Sequence, residues 1–296
     1  MAGLASQVPS LLLLDDATLL SEPPSSSHIF VSVQIPSCKS LPCSDIGIGR
    51  TPSSDPFVKI KLVDVKRRVE SKEAETQPRF RTVNPTWVPA CHFNFWVEKE
   101  VIDDVRILVT VYDHDTLSSH DYLGSATLPL TSVELTLDWS PTMHSLGLVN
   151  SQTGESIPDC ASVQLAVNKS ESREGLIVNQ IVFEYERWTP TGGWGHKYPG
   201  HLLPTDPGCW STKGKEKWGM ELKDIEGTLN PGDNTGEYEY KFQLWVLPGD
   251  ITDASQSSGW KFGNDFRQKG WSKEGGQFLF CRRRKWCREA CVVKKT

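Results

Sequence analysis

Two groups of aspartates that lie far apart in the chain have the clearest capacity for chemistry. Asp45 and Asp55 form the first group, and Asp113, Asp115 and Asp121 form the second. Carboxylates that are brought together repel one another unless a cation lies among them, and Ca²⁺ prefers about six to eight oxygen ligands. A lone loop aspartate more often stabilises a turn. Five of them in two loops predict a calcium site, provided that the fold brings the loops together.

Short predicted strands flank both groups and would position them. Segment 29–35 precedes the first group, Asp55 opens segment 55–62, and segment 109–112 ends at Asp113. Because side chains in extended chain repeat every two residues, Asp113 and Asp115 point the same way. About eight alternating runs separated by turn residues lie between Ile29 and Val167, which predicts an all-β fold with an eight-stranded antiparallel β-sandwich.

Several motifs in this region resemble the C2 domain, the calcium- and lipid-binding β-sandwich of trafficking and signalling proteins. The matching segments are Ser54–Lys59, Thr82–Trp87, Val111–Asp115 and Asp121–Gly124, in the family's order. The resemblance covers residues 28–170 and implies that Asp45, Asp55, Asp113, Asp115 and Asp121 are the calcium ligands. Segment 46–54 is longer than the family's usual first loop. The strand before this loop and a closing strand at 161–167 favour the type II topology.

A second set of residues predicts contact with an anionic phospholipid membrane. Basic side chains at alternate positions would share strand faces, and two apolar residues in the aspartate loops are candidates for insertion into lipid. A lysine or arginine near an anionic surface gains only about 1 kcal/mol, and the alternative for the basic residues is an ordinary solvated strand surface. The predicted lipid-binding residues are Lys59, Lys61, Arg79, Arg81, Ile48 and Leu117.

The composition of the chain changes beyond the polar segment 170–175. Eight of the 11 tryptophans lie after it, and residues 175–296 hold 18 Lys/Arg against 15 Asp/Glu, whereas residues 29–174 hold 14 against 19. This difference predicts a second domain. The predicted divisions are a flexible acidic tail at 1–27, a C2 domain at 28–170, a linker at 171–177 and a second domain at 178–296.

Motifs in the second half resemble the dysferlin domain shared by ferlins and peroxin-type membrane proteins. They are Glu184–Trp188, Gly192–Gly195, Leu202–Pro207 followed by Trp210 and Ser211, Gly259–Phe262, Phe266, Trp271 and Arg282–Arg288. The resemblance spans about residues 178–292 and implies a β-rich fold with interleaved Arg and Trp. One departure is Pro207-Gly208-Cys209, where the family usually has an arginine and a second proline.

Arginines stacked on tryptophans would stabilise this second domain, since each such pair gains about 0.5–2 kcal/mol. The basic and aromatic run 282–288 is also typical of a nucleic-acid stacking platform. Alternate residues of that run would share one strand face, so the sequence favours internal stacking and no nucleic-acid partner. The residues predicted to stack are Arg187, Trp188, Trp260, Arg282, Arg284 and Trp286.

The motifs of common hydrolases and kinases are missing from the sequence, which has no Gly-x-Ser-x-Gly elbow and no phosphate-cradling glycine loop followed by Lys and Ser/Thr. We therefore expect that the protein is not an enzyme. The predicted function is a calcium-dependent phospholipid-binding adaptor in membrane trafficking or endomembrane organisation, with Ca²⁺ as cofactor and a protein partner for the dysferlin-like half. The alternative is a calcium-independent module that binds a protein or a phosphoinositide.

The composition also predicts where the protein acts. The eight cysteines have neither paired metal-ligand spacing nor the density of a disulfide scaffold, and the net charge is -5. No apolar run approaches the roughly 20 residues that span a bilayer. We expect a cytoplasmic, peripheral protein on endomembranes of the ER, peroxisome or vesicles, or on the plasma membrane.

Overall fold

The computed structural model describes most of the chain. The described residues are 10–14, 27–44, 53–115, 119–136, 141–157, 160–213, 217–229, 238–247, 259–268, 270–272, 275–276 and 279–295. Within them the chain is mostly β-strand, and the strands form three antiparallel sheets. The predicted all-β fold, a β-sandwich followed by a second β-rich part, is confirmed.

The first two sheets are built from ten strands. These are β1 (Leu11–Leu14), β2 (His28–Lys39), β3 (Pro56–Asp64), β4 (Val69–Glu70), β5 (Ala74–Glu75), β6 (Thr86–Glu98), β7 (Val105–Asp113), β8 (Asp121–Pro129), β9 (Thr142–Gly147) and β10 (Ser162–Ser170). Short 3₁₀-helices at Lys99–Asp104 and Leu130–Ser132 connect β6 to β7 and follow β8. The first sheet has the order β1-β6-β2-β10-β9, and the second has the order β4-β3-β7-β8 with β5 on β3.

The main hydrophobic core lies between these two sheets. Alternate residues of β2, among them Val31 and Val33, face Val58 of β3 and Val109 of β7 in one buried cluster. Such alternation is what a strand with one face toward a core requires. The strand before the first aspartate loop, β2, lies between β6 and the closing strand β10. This is the arrangement that the type II prediction describes.

The third sheet contains the strands of the second half. They are β11 (Ile177–Thr189), β12 (Gly193–Gly195), β13 (Trp210–Thr212), β14 (Trp218–Gly219), β15 (Tyr238–Phe242), β16 (Lys261–Gly263) and β17 (Cys281–Lys294). Their order is β14-β13-β11-β17-β15, with β12 on β11 and β16 on β17. The helix α1 (Leu222–Leu229) lies between β14 and β15 in the chain. Strands β11 and β17 pair from Ile177↔Cys291 to Arg187↔Cys281 and are the central pair of this sheet.

The first sheet is covered on both faces. Phe30 of β2 and Trp96 of β6 point away from the sandwich core and pack with Leu176, Val178 and Val292 of the second half. Two hydrogen bonds cross the same boundary, from Asn94 Nδ2 to Ile177 O at 3.1 Å and from Asn179 Nδ2 to Ala90 O at 2.5 Å. Burial of both faces explains why β2 is apolar at consecutive positions rather than only at alternate ones.

Part of the predicted amino-terminal tail is structured, so that part of the prediction is wrong. Leu11–Leu14 form β1, which pairs with β6 from Leu11↔Val97 to Leu14↔Asn94. Leu11 is buried in the sandwich core, and Leu14 is buried against the second half. Burial of these apolar side chains stabilises the strand despite its short length. Residues 1–9 and 15–26 of the predicted tail lie outside the described residues.

Candidate functional site

Strand ends bring aspartates from both predicted groups, Asp55 from the first and Asp113 and Asp121 from the second, to one end of the second sheet. Asp113 ends β7 and pairs with Asp121 at the start of β8. On its other side Asp113 pairs with Pro56, the first residue of β3, which follows Asp55. Asp115 lies two residues beyond Asp113 in the loop. The antiparallel register therefore places Asp55, Asp113 and Asp121 on three neighbouring strand ends.

Asp113 is the most deeply placed of these carboxylates. Only 2% of its surface is exposed. Its Oδ1 accepts a hydrogen bond from the backbone N–H of Asp55 at 2.5 Å, and its Oδ2 accepts one from Ser44 Oγ. Ser54 Oγ lies 3.3 Å from Ser44 Oγ and donates to Pro42 O at 2.8 Å. These bonds hold the Asp113 carboxylate between both aspartate loops.

The other aspartates are tied to the loops through backbone groups. Asp55 Oδ1 accepts a hydrogen bond from the backbone N–H of Arg81 at 2.7 Å, and His114 N–H donates to Asp55 O at 3.0 Å. The backbone N–H of Asp115 donates to His120 Nδ1 at 3.1 Å. Residues near positions 55 and 81 thus meet residues 114, 115 and 120 at one site.

A cluster of aromatic rings supports the loops from below. Phe57 stacks on Tyr112 with ring centroids 5.7 Å apart and meets the edge of His120 at 4.9 Å. His114 stacks on His120 at 5.0 Å, and Phe80 contacts His114 at 6.3 Å. Aromatic pairs at these separations are favourable beyond their buried area. The cluster therefore packs beside the strand ends that carry Asp113 and Asp121.

The donor set fits a hard divalent cation, because carboxylate oxygens from neighbouring strand ends are the ligands that calcium prefers. Asp55 Oδ2 and the carboxylates of Asp115 and Asp121 would hold such an ion beside Asp113. No three of the described aspartates place their carboxylate oxygens within 4.8 Å of one another. Within the described ranges, the one group of three His, Cys, Asp or Glu residues whose ligand atoms all lie within 4.8 Å is Glu184, Glu186 and His196 in the second half.

Three predicted site residues lie outside the described residues. They are Asp45 and Ile48, in segment 45–52, and Leu117, in segment 116–118. Asp45 stays a predicted calcium ligand, and Ile48 and Leu117 stay predicted membrane contacts.

The predicted basic face does not form one surface. Lys59 pairs with Glu73 at 2.8 Å and Lys61 with Glu70 at 2.6 Å, so their charges are already compensated. Residues 76–81 are not strand, which means that Arg79 and Arg81 do not share a strand face as the alternation predicted. The cause is the short β5, after which the chain turns across the strand ends to bring Arg81 to Asp55. Arg79 instead lines a cavity against the second half.

In the second half, arginines and tryptophans alternate along one face of β17. The guanidinium of Arg282 lies 4.3 Å from the ring centre of Trp260 and 4.7 Å from that of Trp194. The guanidinium of Arg284 lies 4.6 Å from the ring centre of Trp260 and 4.8 Å from that of Trp286. Trp260 therefore lies between two cations, which is the geometry of cation–π stabilisation.

Two carboxylates of β11 complete this stack, and the sequence analysis missed them. Glu186 accepts from Arg282 Nε at 2.8 Å, and Glu184 accepts from Arg284 Nε at 2.5 Å and from Trp286 Nε1 at 2.8 Å. Glu184 is 5% exposed, so these donors replace the water that its buried carboxylate has lost. The sequence did hold one signal for these contacts: two glutamates and two arginines each recur at a spacing of two residues, at 184 and 186 and at 282 and 284. The cross-strand register, which pairs them, was not visible in the sequence.

Arg187 and Trp188 make different contacts from those predicted. Arg187 forms a two-point ion pair with Asp206, at 2.9 and 2.5 Å, and its guanidinium lies 5.2 Å from the ring centre of Phe266. The hydrogen bonds to Asp206 raise the pKa of Arg187 further above its usual value. Trp188 is 39% exposed, and its described aromatic neighbour is Phe280 at 6.4 Å. Residue 187 points to the opposite face of β11 from Glu184 and Glu186, which explains why Arg187 is not part of the stack.

The described helices include none that is long and apolar enough to cross a membrane. All eight cysteines are free thiols.

Comparison with known proteins bears on the first half of the chain. Residues 30–144 match the family model of the C2 domain. A synaptotagmin-1 from Aplysia californica is 31% identical over 163 residues, which cover 55% of this chain and 31% of that protein. Synaptotagmin-B from Diplobatis ommata is 33% identical over 105 residues, which cover 36% of this chain and 22% of that protein.

The chain also has similarity to solved structures. The C2A domain of a plant extended synaptotagmin 1 aligns with 48% of this chain and 93% of its own, at 21% identity and a TM-score of 0.38. The chain spans between about a fifth and a third of the length of the curated relatives it matches, from 20% to 31%. The family match and these relatives show that the chain contains a C2 domain.

Proposed function

We propose that this chain is a calcium-dependent phospholipid-binding adaptor of membrane trafficking or endomembrane organisation, and that it acts without catalysing a reaction. The observation that carries the proposal is the meeting of Asp55, Asp113 and Asp121 on three neighbouring strand ends of a C2 domain. Calcium and phospholipid are the ligands that the C2 resemblance implies. Asp45 and Asp115 complete the proposed ligand set.

The aspartates of the site have different roles in binding an ion. Asp113, which is buried and fixed by Ser44 and by the backbone of Asp55, holds a carboxylate in place before any ion arrives. Asp115 and Asp121 are more accessible and supply charge at the rim of the loops. Calcium, when bound, neutralises these carboxylates and offers coordination sites to lipid phosphate.

Electrostatics then decides when the loops meet a membrane. A cluster of aspartates is repelled by an anionic leaflet, and neutralising the cluster removes that repulsion. Ile48 and Leu117, in the two loops, are the proposed apolar insertions. The protein thus acts as a peripheral partner of anionic phospholipid membranes on the cytoplasmic side.

The ion pairs on β3 disfavour one form of the alternative, a calcium-independent module that binds lipid through the lysines of β3. Such a module would rely on Lys59 and Lys61, and both lysines already have glutamate partners. An anionic headgroup would have to displace Glu73 or Glu70 before it could gain from either charge. Each lysine then adds less than the roughly 1 kcal/mol expected of an unpaired basic residue near an anionic surface.

We also propose that residues 178–292 form a dysferlin-type domain that binds a protein partner. The alternation of stacked arginines and tryptophans on β17 supports this proposal, because the resemblance implies an interleaved Arg and Trp arrangement. Glu184 and Glu186 satisfy the arginines internally. Nucleic acid therefore has no role in the proposed function.

Asp113→Asn together with Asp115→Asn tests the proposal. Calcium affinity depends on the number of charged ligands. The double variant should therefore need more than about ten times as much calcium as the wild type for half-maximal binding to phosphatidylserine vesicles. Glu134→Gln is the matched control, since Glu134 is an exposed carboxylate beyond the opposite end of β8. Vesicle binding by the double variant at the wild-type calcium midpoint would exclude the proposed site.

A further inference from the structure

A cavity of about 120 Å³ lies between the sandwich and the second half of the chain. Arg79 and Cys91 line it from the sandwich, and Asn179, Lys213 and Lys285 line it from the second half. A single water needs roughly 10–15 Å³ of such space. The cavity therefore has room for a small polyatomic ion and some water.

Positive charge dominates the lining of this cavity. The lining includes three basic side chains, Arg79, Lys213 and Lys285, and one carboxylate, the exposed Glu75. Burial lowers the pKa of Lys285; Cys287 and Cys91 act against this shift, and the charges of Arg79 and Lys213 act with it. Burial also lowers the pKa of Arg79. Cations gathered in a partly desolvated space repel one another, and an anion among them removes that cost.

Two uncharged polar atoms of the lining lack hydrogen-bond partners within the described part of the chain. They are Nδ1 of His92 and Oδ1 of Asn179. The His92 side chain is 3% exposed, and its Nε2 lies 3.5 Å from Glu289 Oε1. Buried polar atoms of this kind are nearly always hydrogen-bonded, to protein or to water. A suitable occupant of the cavity offers both acceptors and a donor, as a phosphate group that keeps one proton does.

The scaffold holds Arg79 at the cavity. Its backbone N–H donates to Pro56 O at 2.9 Å, which fixes segment 76–81 across the end of β3. Lys285 lies on β17, in register with Phe183 of β11 and on the face opposite to Arg284 and Trp286. Because side chains alternate along a strand, Lys285 faces the sandwich while the stack of arginines and tryptophans lies on the other face of β17.

We propose that this cavity between the two halves binds a phosphate group, as inorganic phosphate or as the phosphomonoester of a lipid headgroup. Arg79 comes from the sandwich, and Lys213 and Lys285 come from the second half, so the site exists only when the halves are packed together. The site is separate from the aspartate loops, and binding to it requires no calcium.

The test is isothermal titration of the full chain in a calcium chelator, with two probes in separate arms. The first probe is inorganic phosphate, and the second is a water-soluble, short-chain phosphatidylinositol 4-phosphate. We expect saturable binding of at least one probe. If the phosphatidylinositol 4-phosphate binds more than about tenfold more tightly than inorganic phosphate, the ligand is a lipid headgroup. If the two dissociation constants are comparable, the site recognises the phosphate group alone.

Two variants link the binding to the cavity. Lys285→Gln and Lys213→Gln should each weaken binding about tenfold or more, because each removes a charged hydrogen-bond donor. Lys213 is exposed, so its substitution does not threaten folding. Lys223→Gln, on the exposed side of α1, is the matched control and should bind as the wild type does. The proposal is overturned if the wild type binds neither probe, or if both cavity variants bind as tightly as the wild type.

Discussion

The backbone N–H of Arg81 donates a hydrogen bond to Asp55 Oδ1 at 2.7 Å, and Arg81 adopts a left-handed backbone conformation with φ of 55° to do so. One oxygen of a proposed calcium ligand is thus held by a segment that belongs to neither aspartate loop. The arginine side chain is exposed. The role of this position therefore depends on its backbone rather than on its charge.

This relationship predicts an unusual order of substitutions at position 81. A left-handed conformation costs about 1–2 kcal/mol for residues with a Cβ, most for β-branched residues such as valine, and little for glycine. Arg81→Val should lower the free energy of unfolding by about 1 kcal/mol or more, whereas Arg81→Gly should leave it nearly unchanged. Urea denaturation measures both. The exposed Lys72 is the control position, where valine should be tolerated at least as well as glycine. If the valine variant is also at least as stable as the glycine variant at position 81, the assigned backbone role is wrong.

The contact between Arg284 and Glu184 predicts a large effect from one substitution and a small effect from two. Arg284→Met leaves the buried Glu184 carboxylate without its main partner, which should lower the free energy of unfolding by about 3 kcal/mol. Adding Glu184→Gln removes the uncompensated charge and should restore most of the loss. A double-mutant cycle by chemical denaturation gives the coupling. Additive losses from the two substitutions would show that the residues act independently.

Burial predicts a wide range of thiol reactivity. Burial raises the pKa of Cys209 to about 11 and that of Cys281 to about 11. Only the thiolate reacts with alkylating agents, so both residues are protected at pH 8 and become reactive as the pH rises toward 11. The exposed Cys43 and Cys160 should be alkylated by iodoacetamide at least about tenfold faster at pH 8.

Mass spectrometry of peptides from the alkylated protein measures these rates residue by residue. Labelling in urea is the control, because unfolding removes the burial and should make all four rates similar. Equal rates in the native protein would contradict the packing of Cys209 and Cys281 in the core of the second half.

The sequence was sufficient for the sandwich and for the meeting of the aspartates, because alternation in β2, β3 and β7 fixes which faces are buried and antiparallel pairing then places Asp55 beside Asp113. It was not sufficient for β1. Four consecutive leucines have no period that distinguishes a strand from a tail, and the partner strand β6 lies more than 70 residues away in the chain.

The contacts between the two halves were also beyond the sequence. Phe30 and Trp96 fall at positions of β2 and β6 that a sandwich alone would expose, and only the packing of the third sheet explains why they are apolar. Arg79 has the spacing of a strand residue, but its segment leaves the sheet after β5. Local patterns describe one element at a time, whereas these features depend on residues from distant elements.

Co-sedimentation of the whole chain with phosphatidylserine vesicles across a calcium titration would show whether calcium controls membrane association. We expect vesicle binding to be absent in chelator and to appear, with saturation, at about micromolar to sub-millimolar calcium. Vesicles of phosphatidylcholine alone, which lack net charge, should bind much less at every calcium concentration. Binding to phosphatidylserine vesicles that is equal in chelator and in calcium would contradict the claim that the aspartate loops control membrane association.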